Sequence, residues 1–402
     1  MRNGEVLTMD LSVKNMAISP SPTLSIDAKF KEMKANGEDV VGFGCGEPDF
    51  DTPEYIKAAA IKAIEEGFTK YTPASGTLDL KKAVAEKFRI DNGIDYEAKN
   101  IVISNGAKHS LVNAFSAILN PEDEVIVPAP FWVSYPEMIK MADGVPVILN
   151  TTEENGFKFS AQELEKAINP KTKALVLNSP SNPTGMVYTR QELEAIADVC
   201  VKHKIFVIAD EIYEKLIYDG EHVSIASFND EIKDLTITIN GVSKSYAMTG
   251  WRIGFAAANE KIAKIMANIQ SHAASNPNSI AQAATLAALK GPQDEVEEMR
   301  LVFKERRDYM ANRINSIEGV SCTMPQGAFY IMMNIEKLIG KTIAGTVITG
   351  SDAFAEAFLN VAKVALVPGK GFGADNYLRW SYATSMENIK EGLDRLEKFL
   401  KQ

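Results

Sequence analysis

A chain of 402 residues, 46% apolar and 24% charged, is long enough for two or three domains and has the balance of an ordinary soluble globular protein. Its formal charge of −10 at pH 7 argues against nucleic acid or an anionic membrane as the main partner, although a local arginine can still bind a small anion. Cys45, Cys200 and Cys322 lie far apart without metal-ligand spacing, and no apolar run is long enough to span a bilayer, so a reduced cytoplasm is expected. The first twenty residues hold no continuous apolar stretch, and no signal peptide is expected.

In chain order, a β-branched run predicts a strand over 101–104, and a helix over 109–119 follows it, ended by Asn120-Pro121. Short apolar runs at 124–127, 146–149, 174–177, 205–209, 235–239 and 253–257 read as further strands, with helical stretches at 161–168 and 190–203 between them. Buried strands alternating with helices imply an α/β fold, a mostly parallel sheet covered on both faces. Ligands of such sheets collect at the carboxyl ends of the strands. After about residue 258 long helical stretches follow at 260–272, 280–289 and 294–317, and then a mixed segment. Residues 49–295 are read as a large α/β domain, and residues 1–48 join 296–402 in a smaller α+β domain.

Several segments hold residues suited to chemistry. Tyr71, in Lys70-Tyr71-Thr72-Pro73, can bring a hydroxyl to a phosphate or simply pack in its loop. Ser104-Asn105-Gly106-Ala107-Lys108-His109 runs from strand to helix, and its small residues let backbone N–H groups approach a phosphate where the helix dipole favours an anion. His109 reads as a polar helix-start residue. Trp132 has a flat face able to stack on a heteroaromatic ring or to pack in the core. The loop Asn178-Ser179-Pro180-Ser181-Asn182-Pro183-Thr184-Gly185 can aim the Asn182 amide at a ring oxygen, or serve as an ordinary turn. Asp210 and Tyr213 follow a predicted strand: a carboxylate there can pair with a protonated pyridine nitrogen, and Tyr213 can donate to a phenolate oxygen on the same ring. A helix cap and a packed ring are their plainer roles.

Lys244 lies just past the run Leu235-Thr236-Ile237-Thr238-Ile239, with Arg252 eight residues on. Desolvation at a strand mouth lowers an amine's pKa and makes it a nucleophile toward carbonyls, and the arginine suits a phosphate. The pair suggests a Schiff base to pyridoxal 5'-phosphate, although many strand-end lysines are merely solvated. Arg379, in Tyr377-Leu378-Arg379-Trp380-Ser381, needs an anionic partner in its apolar setting, either a substrate carboxylate or a buried ion pair. No metal cluster, Walker loop or serine-hydrolase elbow is visible in the sequence. Gly369-Lys370-Gly371-Phe372-Gly373 fails as a dinucleotide fingerprint because Ala374 replaces the third glycine and no long helix follows.

These segments, in this order, resemble the class I aminotransferases of the fold type I pyridoxal-phosphate enzymes, most nearly their bacterial aspartate-acting branch. The likeness runs from Gly46-Glu47-Pro48-Asp49 to Arg379-Trp380-Ser381-Tyr382. It implies a seven-stranded, mostly parallel sheet between helices, and a homodimer with shared active sites. Lys244 would hold the cofactor, Asp210 would meet the pyridine nitrogen, Tyr213 and Asn182 the ring oxygen, and Trp132 the ring face. Gly106, Ala107, Ser243 and Arg252 would hold the phosphate beside Lys108, with Tyr71 reaching in from the other subunit. Arg379 would take the substrate α-carboxylate with Asn182, Trp132 and the backbone at Gly46. Lys108 matches a lysine for the distal carboxylate of aspartate, and Ser21 and Thr23 match hydroxyl residues lining that end. The implied reaction is ping-pong transfer from L-aspartate to 2-oxoglutarate, giving oxaloacetate and L-glutamate. Aromatic amino acids, alanine or prephenate are the alternative substrates. Relatives that take prephenate carry a basic residue where this chain has Ser19.

Overall fold

Seven short apolar runs pair into one sheet, and that sheet sets the position of everything described below. The computed structural model describes residues 11–20, 22–44 and 46–402. Its strands in chain order are β1 (Val41–Gly42), β2 (Ile101–Ser104), β3 (Glu124–Ala129), β4 (Val145–Asn150), β5 (Thr172–Asn178), β6 (Phe206–Asp210), β7 (Thr236–Gly241), β8 (Gly254–Ala257), β9 (Tyr330–Asn334), β10 (Thr342–Ile343), β11 (Thr346–Val347), β12 (Val364–Ala365), β13 (Val367–Pro368) and β14 (Tyr377–Ser381). The large sheet has the order β2-β8-β7-β6-β5-β3-β4. From β4 to β7 neighbours run parallel, and β8 lies antiparallel to both β7 and β2.

Burial explains the composition of these strands. All six residues of β7 and four of five in β6 are buried; β6 therefore reads as a continuous apolar run up to Asp210, while β7 intersperses Ile with small Thr that burial tolerates. The edge strand β4 buries none of its residues fully and exposes Val145, Ile148 and Asn150. On one face, Leu111, Phe115 and Met266, from helices Ala107–Ile118 and Glu260–Ala273, pack over Val102, Val176 and Ile239. On the other, Leu193 and Ile196, from helix Arg190–His203, pack over Leu175 and Val207. That helix starts as its sequence dictates: the Thr189 hydroxyl accepts from the Glu192 N–H, and the Glu192 carboxylate accepts from the Thr189 N–H.

A second core gathers both ends of the described chain. β1 pairs in parallel with β12, and β13, β14 and β9 form an antiparallel sheet. Phe43 meets Trp380 with ring centroids 4.6 Å apart. Helix Asp294–Asn315 enters both cores, Val296 and Met299 packing beside Phe255, and Phe303 and Met310 beside Phe329. Among the described residues, no helix is long and apolar enough to cross a membrane.

Two differences from the sequence reading have local causes. Leu235 closes a short helix, Asp230–Leu235, instead of opening the strand, because the Asn229 side chain accepts from the Ile232 N–H and starts a helical turn there. Helices Pro22–Ala35, Glu54–Glu65, Leu78–Asn92, Ser134–Met141, Ser351–Ala362 and Met386–Leu400 lie in segments where no helix was anticipated. Gly369–Phe372 forms a short 3-10 turn that leads towards β14.

Register brings the site's edge together. Asn178 lies opposite Asp210, and Asp210 opposite Ile239, so β5 and β6 end level and β7 runs two residues further on the same edge. Gly254 pairs with both Gly241 and Ser104, which places the ends of β7 and β2 on that same edge. A Cβ at Gly254 would overlap the Gly106–Ala107 peptide, falling 2.6 Å from the Ala107 Cα. Gly254→Ala is therefore expected to destabilise the protein by about 1–3 kcal/mol, the usual range for overpacking, read as a lower urea midpoint. An unchanged midpoint would show that the turn moves freely.

Candidate active site

A cavity of about 370 Å³ opens on the carboxyl edge of the sheet. One wall is the turn from β2 into helix Ala107–Ile118. Gly106 there has φ 88°, and the helix start carries no side-chain cap, so its first N–H groups keep their donors for a ligand. A Cβ on Gly106 would fall 2.9 Å from Cζ of Arg252. Arg252 donates from Nη1 to the Thr249 carbonyl at 2.9 Å, and it lines the cavity together with Ala107 and Ser243.

Asp210 sits opposite, as the last residue of β6, and is only 4% exposed. Burial pushes its carboxyl up to about 6; hydrogen bonds from the Tyr135 hydroxyl (2.7 Å, to Oδ2) and the Ile212 N–H (3.3 Å, to Oδ1) act against that rise, as does the nearby Lys244. Half-buried Lys244 donates from Nζ to the Gly46 carbonyl. The Tyr213 hydroxyl lies 2.9 Å from that of Tyr330. Burial first, and then the Tyr330 hydroxyl, holds the Tyr213 phenol well above its ordinary range, so it stays a donor.

Arg379 reaches the cavity from β14 and is 2% exposed. Its Nη1 donates to Asn182 Oδ1 at 3.0 Å and its Nη2 to the Gly44 carbonyl at 2.9 Å, while its guanidinium lies 4.4 Å from the Tyr330 ring centroid. The Asn182 N–H donates to Asn178 Oδ1 at 2.8 Å. With its carbonyl oxygen taken by Arg379, the NH2 end of Asn182 is the one able to donate to a ligand. Lys108 holds its amine 4.8 Å from the Trp132 ring centroid. Although much of Lys108 is exposed, crowding around its amine and, second, the Arg252 charge lower its pKa.

Ala107, Lys108, Trp132, Asn182, Asp210, Tyr213, Ser243, Lys244, Arg252, Arg379 and Gly46 thus converge on one cavity, and Gly106 backs it. Tyr71 does not line it; this side chain is 89% exposed. Thr23 borders the cavity, whereas Ser21 and Cys45 lie outside the described residues. Exposed Ser19 donates its N–H to Glu137 at 3.0 Å. His109 accepts from the Asn105 N–H through Nδ1, as a helix-start residue does.

Tyr135 and Tyr330 escaped the sequence reading. Tyr135 follows Trp132 by three residues at the start of a helix, a spacing that offered a signal; Tyr330 reaches Arg379 only through the pairing of β9 with β14. Glu211, Glu214 and His222 also form a buried cluster of metal-ligand types behind the site, but the Lys87 ammonium pairs with Glu214 and supplies its positive charge.

The donor set fits a flat, anionic cofactor. An uncapped helix start beside a guanidinium suits a phosphate, a buried acid suits a protonated ring nitrogen, and an amine that acts on that acid lines the same cavity. The family described as aminotransferase class I and II matches residues 38–396. The chain is 49% identical to an aspartate aminotransferase of Bacillus subtilis (strain 168), over 98% of this chain and 100% of that one. It is 47% identical to a probable aspartate/prephenate aminotransferase of Rickettsia bellii (strain RML369-C), over 96% of this chain and 98% of that one. The fold is similar to that of a Thermus thermophilus aspartate aminotransferase solved with maleate, with a TM-score of 0.93, 42% identity and coverage of 98% and 100%.

Asp210 has a pH signature of its own. Its folded value of about 6 exceeds the ordinary 3.8, so between these values the cofactor-free fold binds more protons than the unfolded chain. Stability from this group is complete below the lower value and is lost as pH rises through the upper one. Asp210→Asn should remove that decline, about 3 kcal/mol at its full extent, from urea melts of cofactor-free protein run from about pH 4 to about pH 7. An identical slope in both proteins would contradict the burial argument.

Proposed function

This chain belongs to the class I and II aminotransferases, and from that premise we propose which of its residues run the reaction and on which substrate. It is a pyridoxal-phosphate-dependent enzyme that moves an amino group from an amino acid to a 2-oxo acid. The observation that carries the assignment of roles is the convergence of Lys244, Asp210, Asn182, Tyr213, Trp132 and Arg379 on one cavity.

Pyridoxal phosphate, when bound, supplies an aldehyde for linkage to an amine and a protonated ring that draws electrons from the substrate α-carbon. Lys244 would hold it through its amine and, once the substrate amino group takes that place, would remove the α-proton and return it to the former aldehyde carbon, as base and then acid. Asp210 keeps the ring-nitrogen proton in place. Tyr213 and Asn182 donate to the ring oxygen, and Trp132 covers a ring face against water. Ser243, Arg252 and the backbone at Gly106 and Ala107 grip the phosphate. Arg379, oriented by Asn182 and the Gly44 carbonyl, takes the α-carboxylate beside Trp132 and the Gly46 backbone.

L-Aspartate with 2-oxoglutarate is the substrate pair. The support is Lys108, whose amine stands over Trp132 at the mouth of the cavity, where a second carboxylate would meet it. The dicarboxylate maleate in the Thermus protein agrees with this reading. Ser19, exposed and uncharged, offers prephenate no cation there. The working unit is a homodimer: Tyr71 and the apolar Ile61, Ile64 and Phe68 that precede it in the chain are all exposed, as residues covered by a second copy would be, and the partner copy's Tyr71 completes the phosphate grip. The cytoplasm suits its buried free thiols, Cys200 and Cys322, each pushed up to about 12 by burial.

Lys244→Ala should lower turnover by about 10⁴-fold or more and remove the visible absorbance of the linked cofactor; turnover near that of the unaltered enzyme would refute the base assignment. Lys108→Ala should raise KM for aspartate about 10- to 100-fold, the loss of one charged hydrogen bond, and leave alanine little changed. Equal losses for both substrates would refute the distal-carboxylate role.

A further inference from the structure

Tyr135 has no part in the reaction as set out above, yet it touches two of that reaction's residues. It is 2% exposed, its hydroxyl donates to Asp210 Oδ2 at 2.7 Å, and its ring meets Trp132 edge-on, with centroids 5.3 Å apart and planes at 84°. One rigid side chain on helix Ser134–Met141 therefore links the acid and the indole that would lie against the same cofactor ring.

We propose that Tyr135 is a positioning residue that keeps Asp210 ionised beneath the ring nitrogen and fixes the plane of Trp132. The inference rests on the cofactor placement just proposed. A carboxylate buried in a low dielectric favours its neutral form, and a hydrogen bond donated to its charged form opposes that. The Ile212 N–H bond to Oδ1 is longer, at 3.3 Å, so the tyrosine is the stronger of these two donors. Burial, then the Asp210 charge, keeps the Tyr135 phenol itself protonated, so it serves only as a donor. The titratable groups facing Asp210 are Tyr135 from helix Ser134–Met141, Glu211 and Tyr213 just past β6, and Lys244 from the segment after β7.

The consequence can be read in the cofactor's spectrum. Without the hydroxyl, Asp210 becomes more basic and draws the shared proton from the ring nitrogen. The ring then pulls less strongly on the Lys244 nitrogen, which keeps its own proton to higher pH.

The test uses Tyr135→Phe in the cofactor-loaded protein, a change that retains the ring against Trp132. The pH midpoint of the bound cofactor's visible absorbance should rise by about half a unit or more. The cofactor dissociation constant should rise about 10-fold, and kcat should fall while KM for aspartate stays within about 3-fold. In an Asp210→Asn background the same substitution should leave the midpoint where it was. A Tyr135→Phe protein with unaltered midpoint and cofactor retention overturns the proposal, and so does an equal shift in the Asp210→Asn background. An unsubstituted protein that takes up no pyridoxal phosphate would remove the cofactor placement, and this inference with it.

Discussion

A carboxylate at the buried end of β6 is the constraint around which the rest of the site is arranged. Alone in an apolar interior, Asp210 would sit neutral, and its own pKa already moves that way. The Tyr135 hydroxyl, the Ile212 N–H and the Lys244 amine each favour its charged form. None of them is near Asp210 in sequence except Ile212, so the sheet has to deliver them. Parallel pairing of β5, β6 and β7 brings their carboxyl ends to one edge, and the loops after those ends carry Asn182, Tyr213 and Lys244 into one space. The pyridinium of a bound cofactor would give that acid a further charged partner.

Arg379 ties the second core to this space. It belongs to β14, in the antiparallel sheet with β9 and β13, yet its guanidinium donates to Asn182, which follows β5 of the large sheet. The Gly44 carbonyl, the Asn182 amide oxygen and the face of Tyr330 all contact its fork and fix its orientation. Tyr330 in turn shares a hydrogen bond with Tyr213. The proposed carboxylate clamp and the proposed ring-oxygen donors are therefore one connected network. Displacing β14 relative to β5 would disturb substrate binding and ring contacts together.

Much of this was readable in the residues. Strands β2 to β8 announce themselves as short β-branched or small apolar runs, because most are buried on both faces, and helix Arg190–His203 matches its Thr189–Glu192 start signal to the residue. Helix Met386–Leu400 carries a Ser385 cap and an amphipathic face, although its sequence reads only as part of a mixed segment. Leu235 misled because its apolar side chain continues the strand pattern while the Asn229 cap holds it in a helix. Within the site, each strand-end residue had a plainer alternative, and only convergence in space separates the two. Tyr330 could not be found locally, since β9 and β14 are nearly fifty residues apart in the chain and meet by long-range pairing. Tyr135 lies three residues after Trp132 and packs its ring against it, so nothing in the sequence separates its packing from its hydroxyl's bond to Asp210.

The central claim is chemical: the amine of Lys244 is the one that carries the cofactor. Borohydride reduction of the loaded protein, followed by proteolysis and mass spectrometry, would fix the linkage at a single residue. A reduced pyridoxyl phosphate adduct on the peptide containing Lys244, and on no other, is the predicted result. An adduct on Lys108 or elsewhere with Lys244 unmodified would contradict the account.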